Sequence, residues 1–255
     1  MTSDEIRQGI LEHGPWFYRF QFAGGLETVP SIPASVEGIF GTRLEMVHRA
    51  VSDHFGTRLP QIECLDVGCH EGFYSLALAG LGVKRVMGVD VRSENLVRAR
   101  FVAAAMDVRN VAYREGRAES LASDIGETFD LTLFLGVLYH VEDPMRCLRE
   151  VAAVTKEMCV IETQVIDEMP GFTEWGSREW TRPYRGVIAI IDEAGEFEAG
   201  IRETGASSMA TCPSPEALRY MLIHAGFRHV EPIAPLPDAY EQHARRRRVV
   251  WAARK

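Results

Sequence analysis

"CLDVGCHEGFYSLALAG", residues 64–80, decides the fold. An apolar run ends in Asp66, a turn carrying Gly68 and Gly72 follows, and the next segment has the composition of a helix. A strand that turns through glycines into a helix offers its backbone N–H groups to a ligand. The dinucleotide spacing G-x-G-x-x-G fails here at two positions. The alternative D-x-G-x-G-x-G fits at Asp66, Gly68 and Gly72, with His70 standing where the middle glycine belongs. His70 is expected either at negative φ or in the left-handed region, which histidine tolerates more readily than most residues. Its imidazole is expected to touch the edge of the ligand.

Outward from this stretch, strands and helices alternate. Strands are expected at 62–68, 85–91, 110–116, 129–138 and 157–165, and helices at 72–81, 93–106 (with Ser93 as N-cap) and 143–154. The run "FDLTLFLGVL" (129–138) is apolar at nearly every position, as a strand buried on both faces requires. Pro144 suits the first turn of its helix. The series predicts an α/β fold: a Rossmann-like, seven-stranded, mostly parallel sheet with right-handed crossovers and flanking helices. A last helix at 214–227 and strands at 228–234 and 247–254 complete it.

Two regions break the alternation. Residues 1–59 read as a helical and aromatic extension with a short helix, "PWFYRFQFAGG" (15–25) and a helix near 36–56. Residues 166–212 read as an insertion after the fifth strand, inside a domain spanning 60–255. Both are expected to cover a ligand.

Composition narrows the class. The chain has 255 residues, 46% hydrophobic and 25% charged, so it can bury a full core without disulfides or a structural metal. Its five cysteines form no CxxC pair, which suits reduced thiols in a cytoplasmic protein. The N-terminus is too polar for a signal peptide, no run is long and apolar enough to span a membrane, and no metal-ligand ladder is present. A net charge of −8 argues against a partner made mostly of phosphates, although Arg245–Arg248 is a local basic run or a solvated approach to the last strand.

The second strand ends in "GVDV", placing Asp90 24 residues after Asp66. A carboxylate there can accept from both hydroxyls of a ribose; the competing role is an acid at a helix N-terminus. "GRAESL" (116–121) follows the third strand, where Ala118 can offer a backbone N–H and Glu119 can contact an adenine edge or cap the next helix. "FLGVLYHVEDP" (134–144) closes the fourth strand with Leu135, Tyr139 and His140.

These stretches, in this order and spacing, resemble class I S-adenosylmethionine-dependent methyltransferases. The resemblance covers residues 60–165 and extends through "SPEALRYMLIHAGFRHVEPI" to the last strand. It implies S-adenosyl-L-methionine as cofactor, held by Asp66, Gly68, His70, Gly72, Asp90, Ala118, Glu119 and Leu135. Within the superfamily, "GVLYH", "VIETQVID" and "RVVWAARK" are most similar to the transferases that complete 5-carboxymethoxyuridine at the tRNA wobble position. Those use a carboxylated S-adenosylmethionine, and the likeness puts Tyr139 and Arg248 on positions that hold its extra carboxylate. The family's lysine and tryptophan-rich segment ahead of the core is missing: residues 18–41 contain neither residue.

A methyl on a sulfonium is an electrophile, and positioning dominates its in-line transfer. An oxygen or nitrogen acceptor must also lose a proton, which makes His140 the candidate base, with a backbone-bonded core histidine as the alternative. Tyr139 is the candidate contact to acceptor or cofactor. Acceptor-binding candidates are Tyr18, Phe20 and Phe22 from the extension, Arg178 and Arg182 from the insertion, and Arg248; hydrophobic cover of the sheet is the alternative for the phenylalanines. The expected function is methyl transfer to a small-molecule acceptor, a natural-product or sugar intermediate. A tRNA wobble-uridine enzyme and a non-catalytic S-adenosylmethionine-binding protein are the alternatives.

Overall fold

The computed structural model describes residues 1–173, 180–198, 205 and 207–255. The strands are β1 (Glu63–Val67), β2 (Arg85–Asp90), β3 (Val111–Glu115), β4 (Phe129–Leu135), β5 (Thr155–Gln164), β6 (Ile188–Asp192), β7 (Met209–Pro213), β8 (His229–Ile233) and β9 (Arg248–Arg254). The helices are α1 (Ser3–Glu12), α2 (Ala34–Phe55), α3 (Phe73–Gly80), α4 (Ser93–Ala105), α5 (Leu121–Ile125), α6 (Pro144–Val154), α7 (Ala194–Glu198), α8 (Pro215–Ala225) and α9 (Glu241–Ala244).

Seven strands form one sheet in the order β3-β2-β1-β4-β5-β9-β8. β1 to β5 run parallel; β9 pairs antiparallel with both β5 and β8. This is the expected Rossmann-like sheet. The chain runs from β1 outward to β2 and β3, then crosses back to place β4 on the other side of β1, so the switch point lies between β1 and β4, where open α/β sheets bind ligands beyond the strand ends.

Both sheet faces are covered. On one, Leu131, Leu133, Met158 and Val160 pack against Met46, Val47 and Val51 of α2 and Leu76 and Leu78 of α3. On the other, Leu65, Phe134, Ile161 and Trp251 pack against Leu148 and Val151 of α6 and Leu218 and Leu222 of α8. The N-terminal extension belongs to the first of these cores rather than hanging beside it, since Trp16, Tyr18, Phe20 and Phe22 are buried in the same cluster. All five cysteines are buried free thiols. No described helix is long and apolar enough to cross a membrane.

Ser93 is not the N-cap of α4. The cap position is Arg92, whose N–H donates to Asp90 Oδ1 at 2.9 Å, while Asn95 Nδ2 donates to the same oxygen at 3.2 Å. Among the described residues no side chain accepts from the first-turn N–H groups of α4; Asp90 instead fixes the cap residue's own N–H and the Asn95 side chain.

The arginine run does not form a basic stripe. Arg245 pairs with Glu241 at 3.3 Å, Arg247 with Asp167 at 2.7 Å, and Arg248 turns inward. Its local charge is largely matched by the chain's own carboxylates.

Candidate active site

A cavity of about 680 Å³ opens at the carboxyl ends of β1, β2 and β4. That volume suits one enclosed small-molecule site. Its walls come from the loop after β1, the ends of β2 and β4, the N-terminal extension, β6 with the start of α7, and β9.

The loop after β1 is fastened to the end of β2. Gly68 and Cys69 donate their N–H groups to Val89 O at 2.7 and 3.0 Å, and His70 N–H donates to Asp90 Oδ2 at 2.8 Å. Gly68 takes φ 71°, and a Cβ on it would meet Val137 Cγ2 at 2.4 Å, so glycine is required there for both conformation and space. His70 resolves its two expectations in favour of the left-handed region, at φ 52°. Its ring borders the cavity beside Phe17 and Tyr18, with centroids 4.8 and 5.6 Å away.

Two of the expected cofactor residues stand behind the loop rather than in the cavity wall. Asp66 is 2% exposed and accepts from Ser75 Oγ at 2.6 Å. Burial pushes its carboxyl up to about 7 despite the opposing Ser75 hydrogen bond. Gly72 sits at φ 82°, where a Cβ would meet Tyr113 Oη at 2.3 Å; it allows the close approach of α3 to β3. Both shape the turn through packing, and the sequence pattern does not separate that role from ligand contact.

Asp90, Gly116, Ala118, Glu119 and Leu135 border the cavity, as do Tyr18, Tyr139, His140 and Arg248. A carboxylate has about four acceptor sites. Three of Asp90's are taken by His70, Arg92 and Asn95, which leaves capacity for a ribose hydroxyl. The ribose and helix-terminus roles of Asp90 are therefore compatible. Burial raises its pKa, against the hydrogen bonds from Arg92, His70 and Asn95. Glu119 lies 3.7 Å from Arg117, and its carbonyl accepts from Arg146 Nε at 2.8 Å. A glycine turn with no room for a side chain and an acid with spare acceptor capacity fit the adenosine half of S-adenosylmethionine.

The other half is charged and was mostly invisible in the sequence. Glu162 on β5, fully buried, takes Arg43 of α2 at 3.0 Å on one oxygen and Arg248 of β9 at 3.1 Å on the other. Burial alone would raise the Glu162 pKa, but Arg43 and Arg248 hold it low, so it is ionised. Burial also pulls His243 down to about 4 and keeps it neutral. Two guanidinium groups on one carboxylate leave a net positive charge. Arg248 also donates to Tyr139 Oη at 3.1 Å, with its guanidinium carbon 4.8 Å from the ring centre.

His140 is not the backbone-bonded core histidine that was its alternative. It borders the cavity, and its Nδ1 lies 3.6 Å from Glu193 Oε1. Burial pulls its pKa down to about 4, helped by Arg248 and Arg92. The imidazole is neutral near pH 7.

Phe22 is misplaced by the sequence reading. It is 8% exposed, packs on Phe101 at 6.3 Å, and does not border the cavity. Phe20 is likewise core, against Phe73. From "PWFYRFQF" only Phe17 and Tyr18 reach the site. Arg182 lies on an exposed loop bridged to Thr173, away from the cavity, and Trp180 and Tyr184 are exposed. Arg178 and Trp175 lie outside the described residues. The insertion instead sends Ile191, Glu193, Glu196 and Cys212 to the wall.

Glu71 was missed although it stands inside the decisive stretch. It is 1% exposed, and its carboxylate accepts Phe17 N–H and Tyr18 N–H at 3.0 Å. It hooks the N-terminal wall onto the loop. Its one sequence signal was an acid beside glycines in an otherwise apolar neighbourhood.

Known proteins extend this picture. A family profile described as "Methyltransferase domain" matches residues 60–212, more than half of the chain. A tRNA U34 carboxymethyltransferase of Campylobacter hominis is 38% identical over 85 residues, 33% of this chain and 29% of that protein. A ubiquinone biosynthesis O-methyltransferase of Parvibaculum lavamentivorans is 35% identical over 121 residues, 45% of this chain and 47% of that protein. The matches thus span less than half the length of these relatives. The N-terminal domain of EvdMO1, crystallised in the presence of SAH and D-fucose, superposes with a TM-score of 0.74 at 24% identity, covering 100% of this chain and 97% of that one. The chain belongs to the methyltransferase-domain family, with the fold of class I S-adenosylmethionine-dependent methyltransferases.

Proposed function

We propose that this methyltransferase-domain protein moves a methyl group from S-adenosylmethionine to an oxygen or nitrogen of a small-molecule acceptor, a natural-product or sugar intermediate. One observation carries the reading: a single cavity runs from Asp90 and the 116–119 segment to Tyr139, His140 and Arg248, and the chain's own extension and insertion wall it in. Residues 1–59 act as cover, and 166–212 as the acceptor-side insertion of a domain spanning 60–255. Five buried thiols suit a cytoplasmic setting.

The donor supplies an electrophilic methyl on a sulfonium centre. The chain's work is placement. Asp90 takes a ribose hydroxyl, the backbone of Gly68 and His70 lies along the donor, and Ala118, Glu119 and Leu135 border the base. Tyr139, fixed by Arg248, and the Phe17–Tyr18 wall orient the acceptor. Alignment and exclusion of water of this kind supply several kcal/mol of rate enhancement. His140, neutral near pH 7, is available to take the acceptor's proton.

A second reading is carboxymethyl transfer to a tRNA wobble uridine. The uncompensated charge of Arg43 and Arg248 on Glu162 beside Tyr139 favours it, because that charge suits a carboxylate on the donor. The net charge of −8 and the paired arginine run weigh against a polynucleotide. Calorimetry with S-adenosylmethionine, S-adenosylhomocysteine and carboxylated S-adenosylmethionine tests both. Micromolar binding of the first two is expected. No binding by any of the three sinks the cofactor assignment, and a strong preference for the carboxylated form transfers the conclusion to the second reading.

A further inference from the structure

We infer that Glu193, on the insertion, is a positioning residue that sets the tautomer of His140 and leaves its Nε2 as the proton acceptor. The inference rests on the proposed function only in placing the acceptor in this cavity.

The insertion is docked onto the turn that carries His140. Thr211 Oγ1 on β7 donates to Val141 O at 3.1 Å. Gly205 packs so closely that a Cβ there would lie 2.3 Å from His140 O. Glu193 itself is anchored by its N–H to Ser208 O at 2.9 Å, just after β6, and its side chain is 13% exposed. Its Oε1 faces His140 Nδ1 at 3.6 Å, and that nitrogen is shut off from solvent. Such contacts commonly tighten when a ligand closes a site.

A neutral imidazole has one N–H. Opposite a carboxylate, that hydrogen belongs on Nδ1, and the lone pair is left on Nε2. The groups around the ring are Arg248 of β9, Arg92 after β2, Glu162 of β5, Glu196 of α7 and the adjoining Tyr139 ring, 4.2 Å away. The two arginines oppose an imidazolium and Glu162 and Glu196 favour one, and a carboxylate 3.6 Å from Nδ1 adds to the second group. In the transfer, the acceptor's O–H or N–H proton passes to Nε2 while its lone pair bonds to the methyl carbon. The C–S bonding pair stays on sulfur as a neutral thioether. The imidazolium formed is then stabilised by Glu193, in the manner of an acid that orients a catalytic histidine.

The test needs no acceptor. The tautomer is read by long-range ¹⁵N NMR of the full chain at neutral pH, with His140→Gln assigning the signal. The wild type should show His140 protonated at Nδ1. Glu193→Ala should move at least about half of the population to the Nε2-protonated form, the preferred form of a free imidazole, and Glu193→Asp should restore the Nδ1 form in part. An Nε2-protonated wild type, or a tautomer ratio unmoved by either variant, overturns the inference. Should Glu193→Ala fail to fold, the Asp variant and the wild type alone decide it. Calorimetry with S-adenosylhomocysteine on the same samples keeps the cofactor question separate: lost binding in every sample refutes the proposed function and leaves the tautomer result standing.

Discussion

Removing the Glu71 carboxylate should cost both stability and cofactor affinity. Glu71 holds Phe17 N–H and Tyr18 N–H at 3.0 Å, and Tyr18 is 5% exposed. Glu71→Ala leaves two donors without their acceptor. Each buried unsatisfied group costs about 1–3 kcal/mol. Phe17 is only partly buried and can reach water, so its share falls at the low end. The total is about 3 kcal/mol, which for a chain of this size is a fall in Tm of roughly 6–12 °C. Glu71→Gln keeps one oxygen and loses the charge, so about half of that loss is expected. Urea unfolding gives the stability change directly. The same hook holds Tyr18 and Phe17 against His70, so affinity for S-adenosylhomocysteine should fall about tenfold, or ~1.4 kcal/mol. A Glu71→Ala protein within about 0.5 kcal/mol of wild type would show that the hook is not a structural necessity. Lost stability with unchanged affinity would confine Glu71 to the fold.

Asp90→Asn should weaken S-adenosylhomocysteine binding by about tenfold or more in calorimetry, and retained affinity would remove Asp90 from the cofactor contacts. Glu162→Gln strands Arg43 and Arg248 in the interior and should destabilise by about 3–5 kcal/mol in urea unfolding; a neutral result would mean that water or another carboxylate compensates them. Burial lifts Asp66 to about 7, against an ordinary carboxyl value of about 3.9. Between those values the folded state keeps a proton that the unfolded chain has released, so the contribution is full below about pH 4 and is lost as pH rises through the folded value. Asp66→Asn should therefore flatten the decline of stability across that window, and parallel wild-type and variant profiles would show that Asp66 ionises normally.

The sheet was legible because its signals are local. An apolar run, a glycine turn and a helical segment sit side by side in 64–80, and the same alternation continues to Gln164. That Asp90, Ala118 and Glu119 border the cavity was legible for the same reason: Asp90 ends a strand and the other two lie a few residues beyond one. Contact and support were not distinguishable at that level. Gly68 borders the cavity and Gly72 does not, though one turn holds both. Aromatic richness misled more seriously. In "PWFYRFQF" Trp16, Phe20 and Phe22 are core while the adjacent Phe17 and Tyr18 border the cavity, so one stretch supplies both.

The charged half was legible only in Tyr139 and Arg248, because it is assembled from distant segments. Arg43, Glu162 and Arg248 come from three elements that meet only through the pairing of β5 with β9 and the packing of α2 on the same sheet. The family likeness pointed to Arg248, and Glu162 lies inside "VIETQVID", but Arg43 lies in no such stretch and nothing in the sequence joined the three. Their arrangement nevertheless constrains the chemistry more than the motifs do. The loop and Asp90 can hold the same adenosine whatever is being methylated. A buried carboxylate shared by two arginines fixes Tyr139, and it puts positive potential at the end of β4, where a bound acceptor would meet the donor. That potential opposes a cationic acceptor and opposes an imidazolium at His140. Glu162 and Glu196 act in the opposite sense on that ring, and the described carboxylate that faces Nδ1 is Glu193 of the insertion. On the proposed function, acceptor choice and proton removal depend on the same inserted segment, while the donor-side half keeps the arrangement common to its fold.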